Sequence, residues 1–239
     1  MNTRRLILVA SASLVSSLTG CVSIDPLATH RPRIKRVLIA SLLRDQSPIR
    51  RIGLLGVGNK QAQVRVGQSL NDAALAGMRK RLAGSPSVSV VALSPELTGR
   101  LLAQVAGVSR TKALDAVKAD LVSAAKAAEA DAVILVLPTD SPEPAMPNPG
   151  IIWDVRTAPS SDKIAIVAEI DTHFLSAAGE SLLTRGAGDV YIREGSAKEL
   201  GLTADLASVS DSSVASRVSA GIATQVQITI ERALELSGY

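Results

Sequence analysis

Two periodicities alternate along the first half of the chain, and together they leave few folds open. Apolar runs at residues 52–57, 88–93 and 131–137 have the length and branched content of strands buried on both faces. Between them apolar residues recur about every four positions: Leu70, Ala74, Met78 and Leu82, then Leu114, Val117, Leu121, Ala125 and Ala128. That spacing lays an apolar stripe along one side of a helix. Gly84 stops the first helix, Pro95 opens a second that reaches about Ala106, and a third runs over about 111–130 on Ala, Lys and Glu. Strands alternating with helices predict a layered sheet with helices packed on it. The domain is expected to become visible from Arg50, while residues 37–43 suit a strand or a short helix equally well.

From Pro138 the pattern changes. Pro138, Pro142, Pro144, Pro147 and Pro149 deny residues 138–150 both helix and interior strand. Residues 151–156, 163–175 and 181–193 read as three strands of an antiparallel meander. In the second, Ile164, Ile166, Ala168, Ile170 and Phe174 fall on one side and Glu169, Asp171 and His173 on the other, which predicts one wet face. Asp211 or Ser212 then caps a last helix with the stripe Val214, Val218, Ile222, Val226, Ile230 and Leu234. The expected fold is α/β (α+β): a mixed sheet of about five to six strands with helices packed on it, a carboxy-terminal meander and a terminal helix.

The amino terminus carries an address. Arg4 and Arg5 precede an apolar segment that runs through Leu6, Leu14 and Leu18 to small residues, in the order of an export signal. No run in the chain reaches the roughly 20 apolar residues of a spanning helix without a charge. The order Leu18-Thr19-Gly20-Cys21 resembles the lipobox of bacterial lipoproteins. The resemblance implies a diacylglyceryl group on the Cys21 sulfur, cleavage just before that cysteine, and acylation of the new amine. Val22 and Ser23 follow, not the aspartate that in this family favours the inner membrane, so the outer membrane, facing the periplasm, is the expected location. The chain then divides into a signal peptide at 1–20, a lipidated anchor and flexible tether at 21–36, and one envelope domain at 37–239. Pro26 and Pro32 suit an extended tether.

Composition closes several options. Cys21 is the only cysteine, so its acylation leaves no thiol for disulfides, metal ligation or nucleophilic catalysis. Aromatic residues are 2% of the chain against 46% hydrophobic, so the core must be aliphatic and stacking platforms are scarce. The net charge of +4 is unevenly spread: Arg31, Arg33, Lys35, Arg36, Arg44, Arg50 and Arg51 face Asp45 alone within residues 31–51. Such residues suit anionic headgroups beside an anchor, and equally a solvated flank. Nucleic acid binding would want basic charge on a folded face with aromatics between, and is not expected.

Over about residues 50–236 the order strand, helix, strand, helices, a strand beginning Ala130-Asp131-Ala132-Val133-Ile134, a meander with the turn Leu175-Ser176-Ala177-Ala178-Gly179-Glu180, and a terminal helix resembles the periplasmic α/β module of envelope proteins. Examples are the amino-terminal domain of TolB, the curli secretion lipoprotein CsgG and the synthase activator LpoB. The resemblance implies a docking or assembly role, and no position carries over a functional residue.

Candidate sites are few. Glu169, Asp171 and His173 on one strand face could begin a hard-metal or acid–base site, though any exposed face carries such residues. Gly53, Gly56 and Gly58 sit at a strand end, but Gln61 occupies the third position of a dinucleotide fingerprint, so they read as turn glycines. Phosphate loop, nucleophile elbow and zinc-helix motifs are absent from the sequence. The candidate partner-binding residues are Pro142, Pro144 and Pro147, in a loop that loses little entropy on binding, with Trp153, the only tryptophan, as an anchor or a core residue. The expectation is a lipid-anchored, non-catalytic binding and assembly module without cofactor. It would engage the membrane through Cys21 and another envelope protein or itself. The alternatives are a periplasmic hydrolase or metal-dependent enzyme using Glu169, Asp171 and His173, and a subunit of a homo-oligomeric outer-membrane assembly.

Overall fold

The computed structural model describes residues 26–53, 57–67, 69–85, 87–138, 149–156, 158, 160–186 and 192–239. The chain is a mixed α/β fold with two five-stranded sheets. Helix α1 (Pro26–His30) and a 3-10 turn (Arg31–Arg33) lead into β1 (Arg36–Ser41), then β2 (Gln46–Ile52) and β3 (Lys60–Arg65). Next come α2 (Ser69–Leu82), β4 (Ser89–Ala92), α3 (Pro95–Val105), α4 (Arg110–Ala127) and β5 (Ala132–Pro138). The remainder is β6 (Gly150–Asp154), β7 (Lys163–Val167), β8 (Ile170–Ser176), β9 (Ser181–Gly186), β10 (Ile192–Ser196), the short α5 (Ala197–Leu200) and α6 (Ser212–Leu236).

The first sheet has the order β4-β1-β5-β8-β9 and the second, read from the same side, β3-β2-β6-β7-β10. Four stretches of chain each give one strand to each sheet, in the same neighbour order: β1 with β2, β5 with β6, β8 with β7, β9 with β10. The sheets are thus two halves of one ribbon system broken along a common line. Helix α6 lies in the angle, packed on β8 of the first half and on β3 and β7 of the second.

Burial explains the continuous apolar runs. In β1, Val37 and Ile39 join the cluster that contains α2 and α6, whereas Leu38 and Ala40 join the cluster with α3 and α4. In β5, Ala132, Ile134 and Val136 face the first cluster and Val133, Leu135 and Leu137 the second. A strand covered on both faces has no polar position to alternate with. The stripe expected of α6, Val214, Val218, Ile222, Val226, Ile230 and Leu234, is buried throughout. Each such side chain contributes roughly 1.5–3 kcal/mol relative to exposure. Helices α2 and α6 run parallel, as Ser69 Oγ meets Ser219 Oγ at 3.0 Å and the Lys80 Nζ meets Glu231 at 2.7 Å. They cross closely at Gly77, where an added Cβ would lie 3.0 Å from the Gln227 carbonyl.

Several boundaries differ from the expectation. The strand expected at 52–57 does not begin at Ile52, which ends β2, and Val57 is 79% exposed in the turn before β3; residues 54–56 lie outside the described residues. The strand β3 escapes a sequence reading because Lys60-Gln61-Ala62-Gln63-Val64-Arg65 lies at an edge and buries only Val64. Residues 163–175 do not form one strand but two, in different sheets, broken at Ala168 and Glu169; the strand expected at 181–193 likewise divides into β9 and β10. Residues 37–41 belong to β1, an interior strand of the first sheet between β4 and β5, so the domain is under way well before Arg50. Nor is the chain from Pro26 a free tether. Leu27 and Ile34 are buried, the Arg31 guanidinium donates to the Ser237 carbonyl at 2.8 Å, and it lies 5.7 Å over the Tyr239 ring. That ring stacks on Phe174 with centroids 6.0 Å apart, and burial raises the Tyr239 pKa.

Replacing Gly77 by Val should lower unfolding stability by about 1–3 kcal/mol in a urea titration, because overpacking the α2–α6 crossing outweighs the gain in helix propensity. The Asp211 carboxylate caps α6, accepting from Ser213 Oγ and from the Ser213 and Val214 N–H groups, and these bonds hold its pKa below the usual 3.8. A depressed carboxylate contributes stability above its unfolded pKa and loses it as pH falls through the folded value. Asp211→Ala should therefore destabilise at neutral pH and flatten the acid limb of stability below about pH 4.

Candidate functional site: a crevice at the carboxyl ends of the parallel strands

The acidic and histidine face expected on residues 169–173 is not a wet one. Asp171 is 1% exposed and His173 9%. They stand opposite Leu137 and Leu135 on β5, residues that face the α3–α4 cluster, so alternation sends them into a covered side of the first sheet. The His173 Nδ1 lies 3.0 Å from the Thr184 Oγ1 on β9. Glu169 precedes β8, at the corner between the sheets. Among the described residues, no group of three His, Cys, Asp or Glu is placed to hold a metal ion. The physical reason is that the run 163–175 changes sheet at Ala168 and Glu169, and the side carrying Asp171 and His173 is covered.

Trp153 is 7% exposed, its indole N–H donates to the Ser161 carbonyl at 2.8 Å, and the Arg51 guanidinium sits 5.5 Å over its ring. It belongs to the core between α6 and the second sheet. Pro142, Pro144, Pro147 and Cys21 lie outside the described residues. Gly53 and Gly58 serve the β2–β3 turn: a Cβ on Gly53 would fall 1.8 Å from the Val57 carbonyl oxygen, and Gly58 has φ +78°.

The site that sequence reading did not find comes from topology. Strands β1, β4 and β5 are parallel, with β1 in the middle. The path from β1 to β4 passes through α2 on one face, and the path from β4 to β5 through α3 and α4 on the other. Neighbouring crossovers on opposite faces leave a gap beyond the carboxyl ends of the strands, the usual ligand position in open α/β sheets. Here a cavity of about 510 Å³ opens there, lined among others by Leu43, Arg44, Asn71, Val105, Gly107 and Pro138. A second of about 390 Å³ lies between the ends of β1 and β4, lined by Ser41, Asn71, Asp72, Leu93 and Thr98 among others.

Asn71 is common to both, is 4% exposed, and clamps the β1–β2 connection. Its Oδ1 accepts from the Leu43 N–H at 2.9 Å and its Nδ2 donates to the Leu43 carbonyl at 3.0 Å. Below it the Asp45 carbonyl accepts from Val66 and Gly67 N–H groups at 2.8 and 3.1 Å, which seats the start of α2. Ser41 Oγ, 2% exposed at the residue level, has no hydrogen-bond partner among the described residues. The lining of the two cavities is mainly aliphatic, with the amides of Gln46 and Asn71, the hydroxyls of Ser41 and Thr98, and the charged Arg44, Asp45 and Asp72, a chemistry for holding a partner group. Asn71 carried a signal in sequence, a polar residue beside the apolar stripe of a helix, but alone it could not be told from a solvent-facing residue.

Compared with family models, curated proteins and solved structures, the chain shows no match.

Asn71→Ala strands the buried Leu43 N–H and carbonyl, so it should cost about 1–3 kcal/mol by chemical denaturation. Asn71→Asp, which keeps the acceptor but buries a charge against the Leu43 carbonyl, should cost at least as much at neutral pH as the alanine change.

Proposed function

We propose that this chain is a lipid-anchored cell-envelope lipoprotein, held at the outer membrane by acyl groups on Cys21, whose α/β domain is a non-catalytic binding and assembly module for another envelope component. The observation that carries the reading is the order of charge, apolar run, small residues and cysteine ending at Cys21, with a folded domain under way from Pro26. Several acyl chains meet the requirement for stable anchoring, since one alone binds only marginally. The element order supports the same reading through its likeness to the envelope modules of the TolB, CsgG and LpoB kind. The crevice beyond β1, β4 and β5 is the natural seat for a partner's side chain or chain end, because it combines an apolar lining with a few fixed polar groups.

Metabolic labelling with a palmitate analogue should mark the wild-type protein, and Cys21→Ser should abolish both the label and the membrane fraction. Crosslinking in intact cells should then recover a defined envelope protein with the wild type and lose it with Cys21→Ser. Recovery of the chain only with copies of itself would replace the accessory role by self-assembly. A wild-type protein without the label would overturn the anchor.

A further inference from the structure

We infer that the end of the domain carrying the amino ends of β1, β4 and β5 is a docking face for an anionic bilayer surface, so that the domain rests on the headgroups instead of standing off from them. The inference rests on Cys21 being the lipid-bearing residue, as proposed above, and adds an orientation, a contact surface and a lipid class.

Reach is the first argument. Only Val22, Ser23, Ile24 and Asp25 separate Cys21 from Pro26, where the chain is already docked. Five peptide links extend at most about 18 Å. Helix α1 packs on β9, with Leu27 in the core, and Arg31 holds the Ser237 carbonyl and the Tyr239 ring at the carboxyl end of α6. The anchor therefore meets the domain at this end, and the tether is too short to let the domain turn over.

Charge is the second. The register places Arg36 beside Ser89 and Val37 beside Ala132, so the three parallel strands begin together. Helices α2 and α4 precede β4 and β5 directly and so end here, and the Lys80–Glu231 pair brings the last turns of α6 to those of α2. The basic residues gathered by this topology are Arg33, Lys35, Arg79 and Lys126, all exposed and none in an ion pair among the described residues. The acidic residues of the same end are mostly committed. Glu129 pairs with Arg36 at 3.8 Å, Glu231 with Lys80, and Glu235 with Arg232 at 2.7 Å, while Asp131 accepts the Lys35 and Arg36 N–H groups at 2.7 and 2.8 Å. Among the described residues Glu180 is the exception, and Asp25 in the tether adds one more carboxylate. Leu236, 48% exposed, adds an apolar side chain to the same end. A cationic rim with an apolar side chain, tied within a few residues of an acyl anchor, suits phospholipid headgroups of negative charge. A protein partner would need to reach this end through the same narrow gap.

The test uses the full-length protein purified with its acyl groups, which mass spectrometry verifies, reconstituted in vesicles of phosphatidylethanolamine and phosphatidylglycerol. With the Cys21 sulfur acylated, Ala83→Cys at the proposed face and Ala106→Cys beside the crevice each supply one free thiol for a fluorophore. A quencher on the lipid headgroup should quench the label at position 83 at least about fivefold more than that at 106, since a helix of 18 residues separates the two ends by about 27 Å. Replacing phosphatidylglycerol by phosphatidylcholine, raising salt, or the triple change Arg33→Gln, Lys35→Gln and Arg79→Gln should each bring the two signals toward equality. Equal quenching in anionic vesicles, with acylation verified, overturns the docking face and leaves the anchor intact. Preferential quenching unaffected by salt, lipid charge or the triple change overturns the role of charge. Absence of acyl groups on Cys21 overturns the anchor reading and this inference with it.

Discussion

The buried stripe of α6 is the contact on which the other elements converge. Val218, Ile222, Val226 and Ile230 have no exposed surface and sit in the angle between the two half-sheets. Each half-sheet alone would expose an apolar face: Val37, Ile39, Ile134 and Phe174 on one, Ile49, Val64, Ile151 and Ile166 on the other. A single long helix covers both, and its partner α2 approaches closely enough for Gly77 to be needed. The bend in the strands and the length of α6 are two sides of one requirement, that every apolar face find a cover. The aliphatic composition suits this arrangement, since Val and Ile pack well on a pleated surface and ask for no hydrogen-bond partner.

That arrangement assigns different tasks to the two ends of the first sheet. At the carboxyl ends of β1, β4 and β5 the crossovers part and leave the crevice, with Asn71 tying the backbone around it. At the amino ends the chain enters, helices α2, α4 and α6 finish, and Arg31 locks the entry segment to Tyr239. Fixing the entry segment there turns a nominal tether into part of the fold. The crevice thus opens at the end of the first sheet opposite the one where the entry segment is held.

The helices were legible because their four-residue stripes survive in the fold: Leu70 to Leu82, Val117 to Ala125, and Val214 to Leu234 are buried as expected. Strands β4 and β5 were legible as short apolar runs after helices, although β4 is an edge strand with Ser89 exposed and Val90, Val91 and Ala92 half-buried, not one buried on both faces. What sequence could not give was the division of residues 163–175 at Ala168 and Glu169. Alternation continues unbroken through that corner, so no local signal marks the change of sheet. The same blindness led Asp171 and His173 to be read as solvent-facing, since local alternation says which residues share a side and nothing of what covers it. The edge strand β3 lacked a pattern because it borrows its stability from pairing with β2. The crevice depends on chain segments far apart in sequence and left only Asn71 as a trace.

Position along the chain gives α6 one more consequence, in the order of events after synthesis. The helix that covers both half-sheets is the last large element to be made, while β1, which needs it, is the first strand. A growing chain that ends before Ser212 has strands and no lid, and its pairings span most of the sequence. High separation between contacting segments slows folding and postpones it until nearly the whole chain is present. The same dependence makes α6 the element whose arrival closes both apolar faces at once, so the two sheets gain their cover in a single late step.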